Sequence, residues 1–359
     1  MPPRHYTFAV LPGDGIGPEV VAEALKVLER VSQLEGFTYD TVRYPFGAEH
    51  YLTTKETLPA SALDEVKGMH AILLGAIGDP RIEVGFLERA IISGLRFGLD
   101  LYVNLRPVKL HAEHLCPLKD KGPEDVDMVF VRENTEDVYT GIGGIFKKGT
   151  PDEVAIQEMI FTRKGTERVI RYAFELARKR NRQKKLLMID KANAIRAMDL
   201  WTRTFEEVGA EYPDVTREHA YIDAACMWMV KNPEWFDVAV VANMFGDIIT
   251  DLGAMIQGGM GAAASGNIHP GRVSMFEPIH GSAPKHAGKN VSSPVATIAA
   301  VQMMMDHVGE TRAAQRIEAT LADLLRTRAI PSLTTGAGLS TTATGDLVCE
   351  TLEKTAVPA

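Results

Sequence analysis

Five times along this chain a short apolar run is followed by a longer stretch with helical periodicity. The runs TFAVLP, HAILLGAI, VDMVFVREN, KKLLMID and DVAVVANM precede helical patterns at residues 19–34, 86–97, 164–180, 195–208 and 247–257. Continuous apolar runs are what strands covered on both faces look like, and parallel strands need crossover segments of this length. The alternation therefore predicts an α/β architecture with a largely parallel sheet. One exception is residues 139–161, where GIGGIFKKGT leads into the alternating EVAIQEMIFT. That segment reads as a β-arm. With 359 residues the chain exceeds what one hydrophobic core supports, so two domains are expected.

The first strand runs into LPGDGIGPEV, with glycines at Gly13, Gly15 and Gly17. A dinucleotide-binding fingerprint needs a further glycine where this chain has Pro18. Proline suits the first turn of a helix, and Glu19 beside it complements the helix dipole but repels a phosphate on the same end. A Rossmann pyrophosphate seat is therefore disfavoured, and a tight strand-to-helix turn is the plainer reading.

Net charge of −8 argues against nucleic acid or an anionic membrane as a main partner. No apolar stretch approaches the ~18 residues a membrane helix needs, and the N-terminus lacks a signal core. Cys116, Cys226 and Cys349 are far apart and in no metal-ligand spacing, which suits a reducing compartment. A cytoplasmic protein is expected. The basic run RKRNRQKK at 178–185 follows a helical pattern and reads as a solvated helix end.

Arg96, Arg106 and Arg132 each sit in an otherwise apolar element. Singly each reads as a paired structural arginine; three in an acidic protein suggest a site for a polycarboxylate, because guanidinium forks match carboxylates bidentately. Asp247 and Asp251 in FGDIITD lie at i,i+4 on one helix face, an unfavourable like-charge spacing that something should compensate. A divalent cation would do so, and carboxylate ligation suits Mg²⁺ or Mn²⁺; the plainer alternative, acids near a helix N-terminus favoured by its dipole, covers Asp247 better than Asp251. Asp223, in AYIDAACM at the end of another apolar strand, is a third candidate.

The motifs LPGDGIGPEV, VNLRP, VRENTEDVYTGI, DKAN, YIDA, NMFGDIITDL and MFEPIHGSAP occur in this order over nearly the whole chain. Together they resemble the β-decarboxylating dehydrogenases, a family of isopropylmalate, isocitrate, homoisocitrate and tartrate enzymes. The resemblance implies a two-lobe fold unlike the Rossmann one, with a large domain at 1–101 and 258–359 and a small domain at 102–257. The arm at 143–161 would clasp a partner subunit in a homodimer. It implies that Arg96, Arg106 and Arg132 bind substrate carboxylates, that Asp223, Asp247 and Asp251 hold the metal, and that Tyr139 and Lys191 form the acid/base pair. Lys191 and Asp223 would serve the partner's site.

The same resemblance implies a cofactor site bordered by Ile16 and lined by Glu277, His280, Gly281, Ser282, Ala283, Lys285 and His286. Lys285 stands where NAD-using relatives carry an acid, and with His286 it resembles NADP-using ones. The C-terminal LTTGAGLSTTATGD lacks the residues that complete their phosphate clamp. NAD and NADP both stay open. Substrate choice is expected to turn on Ile92, Ser93 and Arg89, which share a helical face with Arg96. Ile92 favours an alkyl group. The expected reaction is metal-dependent oxidative decarboxylation of a 2-hydroxy dicarboxylate, 3-isopropylmalate, with isocitrate, homoisocitrate and tartrate as alternative substrates. A non-catalytic regulatory subunit of the same fold is the remaining alternative.

Overall fold

The structure is a computed structural model and describes residues 4–356. Its strands are β1 (His5–Gly13), β2 (Thr38–Arg43), β3 (Ala71–Ala76), β4 (Val103–Lys109), β5 (Asp127–Glu133), β6 (Gly143–Phe146), β7 (Val154–Gln157), β8 (Lys185–Asp190), β9 (Thr216–Tyr221), β10 (Val238–Val241), β11 (Ala264–Ile268) and β12 (Met275–Pro278). The α-helices are α1 (Gly17–Glu35), α2 (Ala48–Thr54), α3 (Ala60–Val66), α4 (Gly94–Gly98), α5 (Arg163–Arg180), α6 (Asp199–Gly209), α7 (Ile222–Lys231), α8 (Asn243–Ile256), α9 (Val295–His307), α10 (Thr311–Arg326) and α11 (Thr341–Leu352).

Two units divide the chain. One contains the chain up to Leu101, Lys109–Pro123 and everything from Ala254 onward; the other contains Tyr102–Val108 and Glu124–Gly253. In the first unit the strand order is β2-β1-β3-β12-β11, parallel except for the β11–β12 pair. α1 lays Val20, Val21, Ala24, Val27, Leu28 and Val31 into its core, and stops at Gly36, whose φ of 73° is the left-handed cap that glycine adopts freely. Pro18 falls in the first helical turn, where no backbone donor is wasted. In the second unit the order is β4-β5-β10-β8-β9, with β5, β10, β8 and β9 mutually parallel. α5 packs on β5 and β10 through Val169, Ile170, Ala173, Phe174 and Ala177. β6 and β7 form a separate antiparallel hairpin in which Gly143 faces Gln157.

Residues 109–123 and 254–257, assigned from sequence to the small domain, lie in the first unit. The Lys109 amide donates to Gln257 Oε1 at 2.8 Å, Lys109 Nζ pairs with Glu318 at 2.5 Å, and Leu115 packs against Gly258. Nor is the basic run only a solvated end. Arg180 pairs with the fully buried Asp237 at 2.9 Å and with Asp127, so it anchors the end of α5 to the start of β10.

The helix expected at 86–97 is not uniformly α-helical. Glu88–Ser93 forms a π turn that runs into α4. A π turn closes i→i+5 and holds one extra residue, which shifts the phase of everything before it. The 3.6-residue phase that groups Arg89 with Arg96 is therefore not kept across this segment; a Cβ on Gly78 would lie 2.8 Å from Glu88 Oε1, and one on Gly85 2.7 Å from Arg89 Nη1. Ile92 packs against the first unit's core cluster, and Ser93 is half-buried.

Candidate active site

In the second unit, α8 carries Asn243, Gly246, Asp247, Thr250 and Asp251 at i, i+3, i+4, i+7 and i+8, one continuous stripe of a 3.6-residue helix. Arg106 from β4 and Arg132 from β5 reach that stripe. Arg132 donates through Nε to the Asn243 carbonyl at 2.9 Å, through Nη2 to Asn243 Oδ1 at 2.7 Å, and through Nη1 to Asp247 Oδ1 at 2.5 Å. Arg106 donates to Asn104 Oδ1 and Thr250 Oγ1, both at 2.8 Å, with Asp247 at 3.5 Å and Asp251 at 3.6 Å. Gly246 makes this packing possible, since a Cβ there would lie 2.5 Å from Arg132 Cγ.

The like-charge pair of Asp247 and Asp251 is therefore compensated within the chain by two guanidiniums, where the sequence suggested a cation or the helix dipole. Tyr139, on the short 3₁₀ turn Asp137–Thr140, donates its hydroxyl to Asp247 Oδ2 at 3.1 Å and lies near the Arg132 guanidinium. Partial burial, and then the Asp247 charge, push its phenol above the ordinary value, so it holds its proton at neutral pH. Partial burial also raises the Asp251 carboxyl, with Arg106 opposing. The turn is set by Asp137, a buried residue at φ 73°, whose carboxylate accepts from the Val138 amide at 2.8 Å and the Met244 amide at 2.9 Å. That strained conformation ties Tyr139 to the start of α8.

Lys191 and Asp223 form a second group in this unit, at 2.7 Å from Nζ to Oδ1. Lys191 follows β8, whose last residue, the buried Asp190, accepts from His219, Ala192 and Thr202. Asp223 lies in the first turn of α7, and the bond from Lys191 lowers its carboxyl below the ordinary value. Among the described residues no three acids, histidines or cysteines gather into one metal site, so Asp223 does not join Asp247 and Asp251 within a chain.

Arg96 belongs to the first unit. Its Nε donates to Asn267 Oδ1 at 2.9 Å and its Nη2 to Glu277 Oε1 at 3.2 Å. The loop after β12 sits against the glycine loop: the Ile16 amide donates to the Ser282 carbonyl at 2.8 Å, and a Cβ on Gly15 would lie 1.9 Å from that oxygen. Glycine is required at 15 by this approach. Glu19 accepts from the amides of Gly288 at 2.6 Å and Asn290 at 2.8 Å, which fastens α1 to the same loop. Ala283 takes a left-handed φ of 41°, and Pro284–His286 forms a 3₁₀ turn. Burial lowers His280 below its ordinary value, so it is neutral near pH 7. Lys285 is exposed and has no ion-pair partner among the described residues. Asn243, Thr250, Asn267 and Glu19 were not singled out from sequence as the residues that hold these groups. Three of the four lie in motifs read only for their acids, glycines or lineage.

The two groups fit a dehydrogenase that handles a carboxylated hydroxy acid. Residues 7–348 match the isocitrate/isopropylmalate dehydrogenase family, and the chain belongs to it. It is similar to the 3-isopropylmalate dehydrogenase of Thermobifida fusca, 49% identical over 353 residues that cover 98% of each chain. The 3-isopropylmalate dehydrogenase of Frankia casuarinae is 50% identical over 324 residues, 89% of this chain and 93% of that one. Among solved structures, the isocitrate dehydrogenase of Methylococcus capsulatus superimposes with a TM-score of 0.86 at 34% identity, covering 97% of this chain and 99% of that chain. The fold is that of this family and not a Rossmann fold.

Proposed function

We propose that this enzyme oxidises and decarboxylates 3-isopropylmalate to 4-methyl-2-oxopentanoate and CO₂ as a homodimer with shared sites. The observation that carries the substrate choice, beside the named relatives, is Ile92, which packs on the first unit's apolar core and is suited to an alkyl substituent.

The donor set fits a hard divalent cation: Asp247 and Asp251 offer carboxylate oxygens on one helix face, partly open to solvent. Two aspartates and two arginines are balanced in charge, and a divalent cation bound together with a substrate dianion keeps that balance. Asp223 of a second copy would complete the ligands. When bound, a Mg²⁺ or Mn²⁺ ion held there would supply charge stabilisation at the reacting oxygen, and NAD or NADP would supply the hydride acceptor. Arg106, Arg132 and Arg96 bind the carboxylates. Lys191 of the second copy, in its neutral form, would take the hydroxyl proton, and Tyr139, protonated at neutral pH, would give its phenolic proton to carbon after CO₂ leaves.

A second copy is supported by apolar side chains left in water. Met227 and Val230 on α7, Ile248 on α8, and Ile145, Phe146, Val154 and Ile156 on the hairpin are 49–67% exposed. The test is nicotinamide reduction and CO₂ release with 3-isopropylmalate, isocitrate, homoisocitrate and tartrate, each with either metal and either nucleotide. Preference for 3-isopropylmalate over isocitrate of about a hundredfold or more in kcat/KM is expected, the scale set by a buried carboxylate without a partner. Preference for a tricarboxylate overturns the proposal.

A further inference from the structure

We infer that Asn267 is a positioning residue for substrate binding, which holds the Arg96 guanidinium with one edge presented to a carboxylate. The inference rests on the reading of Arg96 as a substrate ligand. Asn267 lies on β11, fully buried, opposite Met275 of β12. Its Oδ1 accepts from Arg96 Nε at 2.9 Å, and its Nδ2 donates to Glu277 Oε1 at 2.8 Å. The chemistry of the neighbours fixes the amide orientation. Arg96 Nε is only a donor and the Glu277 carboxylate only an acceptor, so a flipped amide would face donor to donor and acceptor to acceptor.

Glu277 Oε1 also accepts from Arg96 Nη2, at 3.2 Å. Asn267 and Glu277 therefore occupy the side-on edge of the guanidinium, Nε and Nη2, and leave Nη1 and the outer hydrogen of Nη2 as the edge that a planar carboxylate matches. Without Asn267 a different geometry wins. A carboxylate beside an arginine prefers two parallel bonds, so Glu277 would rotate to take both Nε and Nη2 for itself and draw the fork away from substrate. By accepting at Nε and donating to Glu277, the amide prevents that capture. Both of its polar ends are buried, so an apolar replacement cannot be rescued by water.

The test is a double-mutant cycle with Arg96→Lys, read by calorimetric binding of 3-isopropylmalate in Mg²⁺ and by steady-state kinetics. Asn267→Leu is expected to weaken substrate binding and raise substrate KM by about tenfold or more, the scale of a lost charge-assisted contact, with kcat and the dinucleotide KM changed far less. In the Arg96→Lys background, where no fork exists to orient, the same substitution should change substrate binding less than about twofold. If Asn267→Leu does not fold, the nearly isosteric Asn267→Asp decides through the same cycle, since it keeps the acceptor for Arg96 and sets a second carboxylate against Glu277. An equal loss in both backgrounds makes Asn267 merely structural and overturns the inference. So does unchanged substrate binding in the single variant. If Arg96→Lys alone leaves binding unchanged, the assignment of Arg96 to substrate fails instead, and the two failures are distinct.

Discussion

Asp247→Asn and Asp251→Asn are expected to be equally inactive yet unequal in stability. From the helix spacing alone, either change relieves a repulsion of a few tenths of a kcal/mol and is neutral or stabilising. The structure reverses that for Asp247. Its carboxylate meets Arg132, whose side chain is 2% exposed, at 2.5 Å, as well as Tyr139 and, more distantly, Arg106. Removing one partner of a buried ion pair costs about 3–5 kcal/mol. Two features reduce the cost here. Asp247 is itself 41% exposed, so solvent screens it, and Arg132 keeps its bonds to Asn243. With the acceptor oxygen that asparagine retains, a loss of about 1–2 kcal/mol is expected for Asp247→Asn. Asp251 is 54% exposed and among the described residues pairs with Arg106 alone, at 3.6 Å, so Asp251→Asn should cost about 0–0.5 kcal/mol. Urea unfolding in chelator, followed by circular dichroism, measures both without metal, and turnover with Mg²⁺ gives the catalytic loss. Equal stability of the two variants, or a stabilised Asp247→Asn, would refute the view that Asp247 neutralises Arg132.

Sharing of sites between subunits is tested by complementation. Lys191→Met and Asp247→Asn should each be inactive alone, and co-refolded in equal amounts they should give about a quarter of wild-type activity, since half the dimers carry one intact site. No recovery in a refolded dimer would place Lys191 and Asp247 in the same chain's site. Lys285→Asp should shift the kcat/KM ratio toward NAD by about tenfold or more if the ammonium meets a 2′-phosphate, and a shift under about twofold puts the side chain outside the cofactor site. Burial raises the Glu133 carboxyl to about 7. A raised acid favours the fold below its unfolded value and loses that advantage as pH climbs through about 7. Wild type should therefore lose on the order of 2 kcal/mol relative to Glu133→Gln between about pH 5 and 8 in urea midpoints, and parallel pH profiles would refute it.

What could be read in advance follows from where the determining interactions lie along the chain. The parallel core strands were legible because residues such as Val238–Val241 and Ala71–Ala76 are buried throughout and so apolar throughout. β9 was legible only at its end, as an apolar strand leading to Asp223, because most of TREHAY is an exposed edge whose place is set by pairing with β8 and not by its own side chains. The aspartates of α8 were found from their spacing. Their neutralisation by Arg106 and Arg132 was not, because those arginines come from strands more than a hundred residues away in sequence. The π turn was the hardest case. A one-residue phase shift leaves composition and apolar content unchanged, so the period of 3.6 carried back from Arg96 to Arg89 is broken at Glu88–Ser93 with nothing in the sequence to mark it. A site residue placed from sequence by helical phase therefore holds only as far as the helix keeps its period. The i→i+5 turn beside Arg96 is where substrate preference in this chain has to be argued from structure.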